Sequence, residues 1–164
     1  MFPTTQVPPP ATADYRDACA RLPSTVCVVA GVDEHGPYGA TASAVCSLSL
    51  DPLLLLVCLD NRSRTLARLL AGGVFAVNVL PEQHADLAIR FAGRAGGQDK
   101  FRGVEHRLVR GAPVLDDALA WFVCDVHAAH SGGDHTIVVG GVTALHHGDG
   151  QPLVWHDRRY RSLA

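Results

Sequence analysis

The chain lacks the glycine signatures that most often grip a nucleotide. No Gly-x-Gly-x-x-Gly follows a strand and no Gly-x-x-x-x-Gly-Lys-Ser/Thr occurs, so a dinucleotide-binding doubly wound sheet and a phosphate-binding P-loop are both excluded. There is no Gly-x-Ser-x-Gly elbow, which leaves hydrolase chemistry with little support. The five cysteines, Cys19, Cys27, Cys46, Cys58 and Cys124, include no Cys-x-x-Cys pair, and the nine histidines include no His-Glu-x-x-His. No metal site is therefore expected, and most of the cysteines are expected to be buried free thiols. Charge is sparse, at 18% of residues with a net value of −2, and the one basic cluster is Arg158, Arg159 and Arg161. That leaves no electrostatic footprint for nucleic acid. The longest apolar run, Leu53 to Leu59, is too short to cross a bilayer, and no charged-then-apolar leader opens the chain. A cytoplasmic protein without a membrane partner is the expectation.

What is present is a globular composition, 48% hydrophobic over 164 residues, the size of one domain. Residues 1–13 hold four of the ten prolines and no apolar periodicity, and read as an extended tail ahead of a domain over 14–164. Helical spacing of Tyr15, Ala18, Cys19 and Leu22 predicts a leading helix stopped by Pro23. Strands are predicted over 25–32, from Gly39 through a long stretch to Pro52, and over 53–59, 74–80, 118–129, 136–145 and 153–156. Helices are predicted from Ser63 to Leu70 and over 82–91, with 92–116 as a surface loop. Because strands outnumber helices and do not alternate regularly with them, the pattern points to a mainly β fold with a few helices, an antiparallel barrel.

Three segments carry candidate chemistry. In an extended chain alternate side chains share a face, so Thr41, Ser43, Val45, Ser47 and Ser49 place four small hydroxyls on one side of the stretch 39–52. Alternation alone fits either a ligand-binding face or a solvent-facing edge strand. The run Asp60-Asn61-Arg62-Ser63-Arg64-Thr65 leaves an apolar strand and opens a helix, where unpaired amides and the helix dipole favour an anion; ordinary N-capping by Ser63 is the alternative. Gly132-Gly133-Asp134-His135 puts an imidazole at the start of an apolar strand, as a ligand contact or simply a turn histidine.

Taken in order, Gly39-Ala40-Thr41-Ala42-Ser43, Ser47-Leu48-Ser49-Leu50-Asp51-Pro52, Leu55-Leu56-Val57-Cys58-Leu59-Asp60 and Phe75-Ala76-Val77-Asn78-Val79-Leu80 form the first half of a joint pattern. Phe91-Ala92, Lys100-Phe101, Gly133-Asp134-His135-Thr136-Ile137, Gly140-Gly141-Val142 and Arg159-Tyr160 complete it. From about Asp14 to Leu163 the chain resembles the flavin reductase family, the small components of two-component flavin-dependent monooxygenases. The resemblance implies an FMN-binding split β-barrel, Greek-key and antiparallel. It implies that Thr41, Ala42, Ser43, Ala44, Ser47 and Ser49 line the flavin, that Asp60, Asn61, Ser63, Arg64 and Thr65 gather at its phosphate, and that Phe91, Lys100 and Phe101 lie nearby, often across a homodimer interface. It further implies that His135, with Arg159 and Tyr160, holds the nicotinamide of NADH, or of NADPH, against FMN or FAD. The reduced flavin then diffuses to a partner monooxygenase. Hydride transfer needs little acid–base help, so His135 is expected to position rather than to be indispensable. The chain departs from the family where Pro23-Ser24-Thr25 stands in place of Pro-x-Gly, and where Ala44 and Val45 replace Ser or Asn and Phe. A carrier that binds FMN without catalysis, and an unrelated barrel that binds a protein, are the competing functions.

Overall fold

The structure, a computed structural model, describes residues 8–93 and 100–163. The first seven residues of the expected tail, and residues 94–99 of the expected surface loop, lie outside that range. The chain runs through α1 (Thr12–Cys19), β1 (Ser24–Thr25), β2 (Cys27–Asp33), β3 (Gly36–Ala42), β4 (Val45–Leu50), β5 (Leu53–Asp60), α2 (Arg64–Gly72) and β6 (Val74–Val79). A short 3-10 turn at Glu82–His84 leads into α3 (Ala85–Ala92). There follow β7 (His106–Val109), β8 (Ala112–Leu115), β9 (Ala120–Gly132), β10 (His135–His147), β11 (Val154–His156) and β12 (Arg159–Arg161).

Seven strands form one sheet in the order β3-β2-β6-β9-β10-β5-β4, and every pairing in it is antiparallel. The two edges, β3 and β4, are consecutive in sequence and joined only by Ser43 and Ala44. Laid flat, six strand spacings would part those edges by roughly 29 Å, whereas three peptide steps reach at most about 11 Å. The sheet must therefore curl until the end of β3 and the start of β4 come within that reach, although the two strands do not pair. The mainly β, antiparallel barrel expected from the sequence is what the chain forms.

This closure also corrects the reading of residues 39–52 as one extended stretch. The chain breaks at Ser43-Ala44 to pass between edges, and the β4–β5 register shifts between Ser47 and Ser49. Ser47 pairs with Leu55, whose side chain is buried, and Ser49 pairs with Leu54 on the opposite face of β5. The run of hydroxyls is thus not one face.

Inside the barrel Cys27, Val29, Val57, Leu59, Phe75 and Val138 pack together, closed at one end by Leu66 and Leu69 of α2. The opposite face of β2, Val26, Val28 and Ala30, packs against Ala88 and Phe91 of α3 with Phe101, Leu115 and Leu153. Burial on both faces explains why 26–30 reads as a continuous apolar run instead of alternating. A third cluster, Ala76, Val114, Trp121 and Val123, lies beneath the β7–β8 hairpin. That hairpin falls in the segment expected to be loop. Its strands have four residues each, and its turn at Arg110 (φ 49) and Gly111 (φ 84) uses Arg where Asn or Asp would have signalled a primed turn. Asn78, fully buried on β6, donates to Val28 O at 3.2 Å and Pro113 O at 3.3 Å and accepts from Leu115 N at 2.9 Å, tying the hairpin to the sheet.

All five cysteines are free; Cys27 and Cys124 are buried and their thiols are pushed up to about 12 by desolvation. Cys19 and Cys58 are half-buried and Cys46 is exposed on β4, so fewer are buried than expected. Among the described residues, no helix is long and apolar enough to cross a membrane.

Candidate functional site

α2 begins at Arg64 because Ser63 is extended (φ −70, ψ 122) and ends where Gly73 turns left-handed (φ 73), its N–H closing on Leu69 O at 2.9 Å. Ser63 makes no side-chain cap, so the first-turn amides of α2 are open to an anion. They open into a cleft of about 740 Å³ between β3, the end of β5, the start of α2 and the C-terminus of α3. Of the residues expected from sequence, Thr41, Asp60, Ser63, Arg64, Thr65, Phe91 and Lys100 line this cleft.

Lys100 is the chain's one lysine and is only 7% exposed. Its Nζ donates to Phe91 O at 2.7 Å and to Gly39 O at 3.4 Å, pinning the end of α3 to β3. Burial, and then the neighbouring Arg64 charge, lower its pKa. Thr41 Oγ1 donates to Ala88 O at 2.6 Å, a second tie between β3 and α3. Asp60 is bound by Arg62, Nε to Oδ1 at 3.1 Å and Nη2 to Oδ2 at 2.8 Å, which holds its carboxyl well below the usual range. Among the described residues neither Arg64 nor Lys100 has a carboxylate partner, so these two cations face the cleft with their charge unmatched.

The other expected residues do not line the cleft. Asn61 is a strut: its N–H donates to Asp134 O at 3.0 Å, its Nδ2 to Gly133 O at 3.1 Å, and its Oδ1 accepts from Thr136 at 2.8 Å. This locks the β9–β10 turn to the β5–α2 turn and sets His135 in register opposite Asp60. His135 Nδ1 lies 2.7 Å from Asp134 Oδ1; a carboxylate only accepts, so Nδ1 carries the hydrogen. Ala42 points into the barrel core, Ser43 and Ala44 form the link between sheet edges, and Ser47 and Ser49 sit on β4, where Ser49 Oγ accepts from Asp51 N at 3.2 Å. Phe101 meets Phe91 edge-on with centroids 4.9 Å apart. Tyr160, on the small sheet β1-β11-β12, packs on Trp155 at 4.9 Å against the outer core, and Arg159 is exposed beside it.

Sequence reasoning missed His35, Tyr38 and Arg68, which line the far side of the cleft. Arg68 stands four residues after Arg64 on α2, so helical spacing could have placed it on the same side. Nothing local marked Tyr38 or His35.

The whole domain has known counterparts. Residues 19–164 match the family described as "Flavin reductase like domain". The chain belongs to the flavin reductase-like family. It is 45% identical over 151 residues to a protein named "Actinorhodin polyketide dimerase" from Streptomyces coelicolor, covering 90% of this chain and 84% of that one. It is 39% identical over 163 residues to "FMN reductase (NADH) RutF 2" from Rhizobium rhizogenes, covering 98% and 94% respectively. A solved structure, the flavin reductase component of a bacterial two-component tryptophan halogenase, superposes with a TM-score of 0.87 at 31% identity over 93% of this chain and 98% of that one.

For a member of the flavin reductase-like family the cleft is chemically apt. A phosphorylated flavin needs an anion seat and a polar, partly apolar trough leading from it. The first-turn amides of α2 with Arg64 and Lys100 are of the kind that could serve as the first, and Gly39, Ala40, Thr41 and Phe91 as the second. Among the described residues, no group of three or more His, Cys, Asp or Glu side chains is placed to hold a metal ion.

Proposed function

We propose that this chain transfers hydride from NADH to FMN or FAD and releases the reduced flavin to a partner monooxygenase. The observation that carries this reading is the cleft in which the uncapped start of α2, Arg64 and Lys100 converge on Tyr38–Thr41, in a chain whose family is flavin reductase-like. Flavin bound there supplies the hydride acceptor. Ser63, Arg64 and Thr65 hold the phosphate, and the Ser43-Ala44 link with Thr41, Ala42, Ser47 and Ser49 borders the ring. His135, its tautomer set by Asp134, orients the nicotinamide with Arg159 and Tyr160. The protein's work is to stack two rings and exclude water, which needs no general acid or base. NADH is the expected donor, with NADPH the slower one, and the cytoplasm the expected location.

The same reading includes a homodimer. β4 is an outer strand carrying Leu48 (47% exposed) and Leu50 (83%), with Leu53 (50%) at the start of β5. A second copy covering this edge would bury that apolar surface beside Ser47 and Ser49. The catalytic domain in this reading spans 14–164, with residues 1–13 a proline-rich tail ahead of it.

Following NADH consumption anaerobically at 340 nm, with and without added FMN or FAD, tests the function. Turnover that rises with free flavin supports a diffusible product. Flavin binding without turnover on either nicotinamide leaves a carrier, and no flavin binding ends the reading.

A further inference from the structure

Arg68 lines the cleft with its charge already matched. Its Nε donates to Asp33 Oδ2 at 2.5 Å, and its Nη2 to Asp33 Oδ1 at 2.5 Å and Gly36 O at 3.2 Å. The charge is therefore matched by a carboxylate and one edge of the guanidinium is occupied. One face is also covered, since Cζ stands 4.0 Å from the centroid of the Tyr38 ring. Tyr38 beneath it is 1% exposed, while the Arg68 side chain is 25% exposed. What Arg68 has left for the cleft is its other flat face and its Nη1 end, held still by Asp33, Gly36 and Tyr38. Such a plane takes a flat aromatic heterocycle, and because it is already ordered the ligand loses little affinity in fixing it.

The position of the plane selects the heterocycle. Arg68 lies one helical turn beyond Arg64, about 6 Å along the axis of α2. FMN ends at its phosphate, so it has no ring to place a turn beyond the phosphate seat. FAD continues through a second phosphate to adenosine. We infer that the open face of Arg68, backed by Tyr38, is the stacking platform for the adenine ring of FAD, and that the cleft selects FAD over FMN. This rests on the flavin function proposed above.

The test is equilibrium titration of flavin-free full-length protein with FMN and with FAD, in wild type, Arg68→Lys, Arg68→Ala and Tyr38→Phe, with NADH KM measured alongside at saturating FMN. Wild type is expected to hold FAD roughly tenfold more tightly than FMN, the size of one stacked base. Arg68→Lys keeps the charge but loses the plane, and is expected to bring FAD affinity down to that of FMN while FMN affinity stays as in wild type. FMN affinity is thus the internal control for folding. Tyr38→Phe keeps the ring and is expected to keep the preference. Equal affinity of the wild type for the two flavins overturns the platform even if no variant folds. A parallel loss of both flavins in Arg68→Lys overturns it in favour of a structural role, and a rise in NADH KM without a change in FAD binding overturns it in favour of the nicotinamide nucleotide. A wild type that binds neither flavin sinks the flavin reading, and the platform with it.

Discussion

At the scale of single residues, Lys100 ties α3 to β3 and lines the cleft, so the proposed site rests on a side chain that also holds the fold. An ammonium has three donors; Phe91 O and Gly39 O engage two, leaving one for an anion in the cleft. Lys100→Met preserves much of the buried stem but leaves two carbonyls without a donor. The variant is expected to lose about 1–3 kcal/mol of stability, read by urea unfolding. Flavin affinity is expected to fall by about tenfold; an unchanged affinity would remove Lys100 from the site. Asp33 makes a second residue-scale prediction. The Arg68 guanidinium beside it lowers its carboxyl from the ordinary 3.8 to about 2. A depressed carboxyl stabilises the fold above its unfolded pKa, and that contribution is lost as pH falls towards the folded value, so the window is about pH 4 to pH 2. Asp33→Asn is expected to flatten the stability-versus-pH curve in that window. An identical slope in variant and wild type would show that the pair is not coupled to folding.

At the scale of elements, the strands are held by close approaches that leave no room for a methyl group. At Gly140, where the β9–β10 register shifts, an added Cβ would stand 2.7 Å from both Cys124 Cβ and Phe75 Cζ. Gly140→Ala is expected to cost about 1–3 kcal/mol through overpacking, read as a lower urea midpoint at constant slope. A wild-type midpoint would mean that the wall yields. Elements were also where local reading worked best. Strand 53–59, the helix beginning after Ser63 and the two long strands near 118–129 and 136–145 appear within a few residues of expectation, because each has its own periodicity and its own punctuation. The β7–β8 hairpin and β12 were not legible: strands of three or four residues show little alternation, and β7 and β12 lack the apolar run that marked β11 at Leu153, Val154 and Trp155.

At the scale of the whole molecule, the exposed leucines on β4 and β5 carry the expectation of a dimer. Leu50→Lys puts a charge where the partner's apolar edge would lie, and is expected to shift the protein to monomer on size-exclusion chromatography with light scattering. A wild type that is already monomeric would remove the dimer, and with it any contribution of a partner subunit to the site.

The candidate site divides along the same line. The run Asp60-Asn61-Arg62-Ser63-Arg64-Thr65, expected as an anion seat, does open onto the cleft, because a strand end and a helix start adjoin in sequence and their placement is local. The hydroxyl face of residues 41–49 was half right: Thr41 does reach the cleft, but the break at Ser43-Ala44 and the register shift before Ser49 arise from closing the sheet, which no alternation records. Arg68 carries the point furthest. Its sequence neighbours suggest a solvated helical arginine. Only when β2 brings Asp33 and β3 brings Tyr38 beneath α2 does it become a fixed, charge-matched plane. Sequence by itself determined most of the strands, the helix starts, the family likeness and which residues stand at the β5–α2 turn, since these depend on residues a few positions apart. Tertiary structure decided which edges come together, which face each hydroxyl takes and what Arg68 offers a ligand, since these depend on contacts that exist only once the barrel has closed.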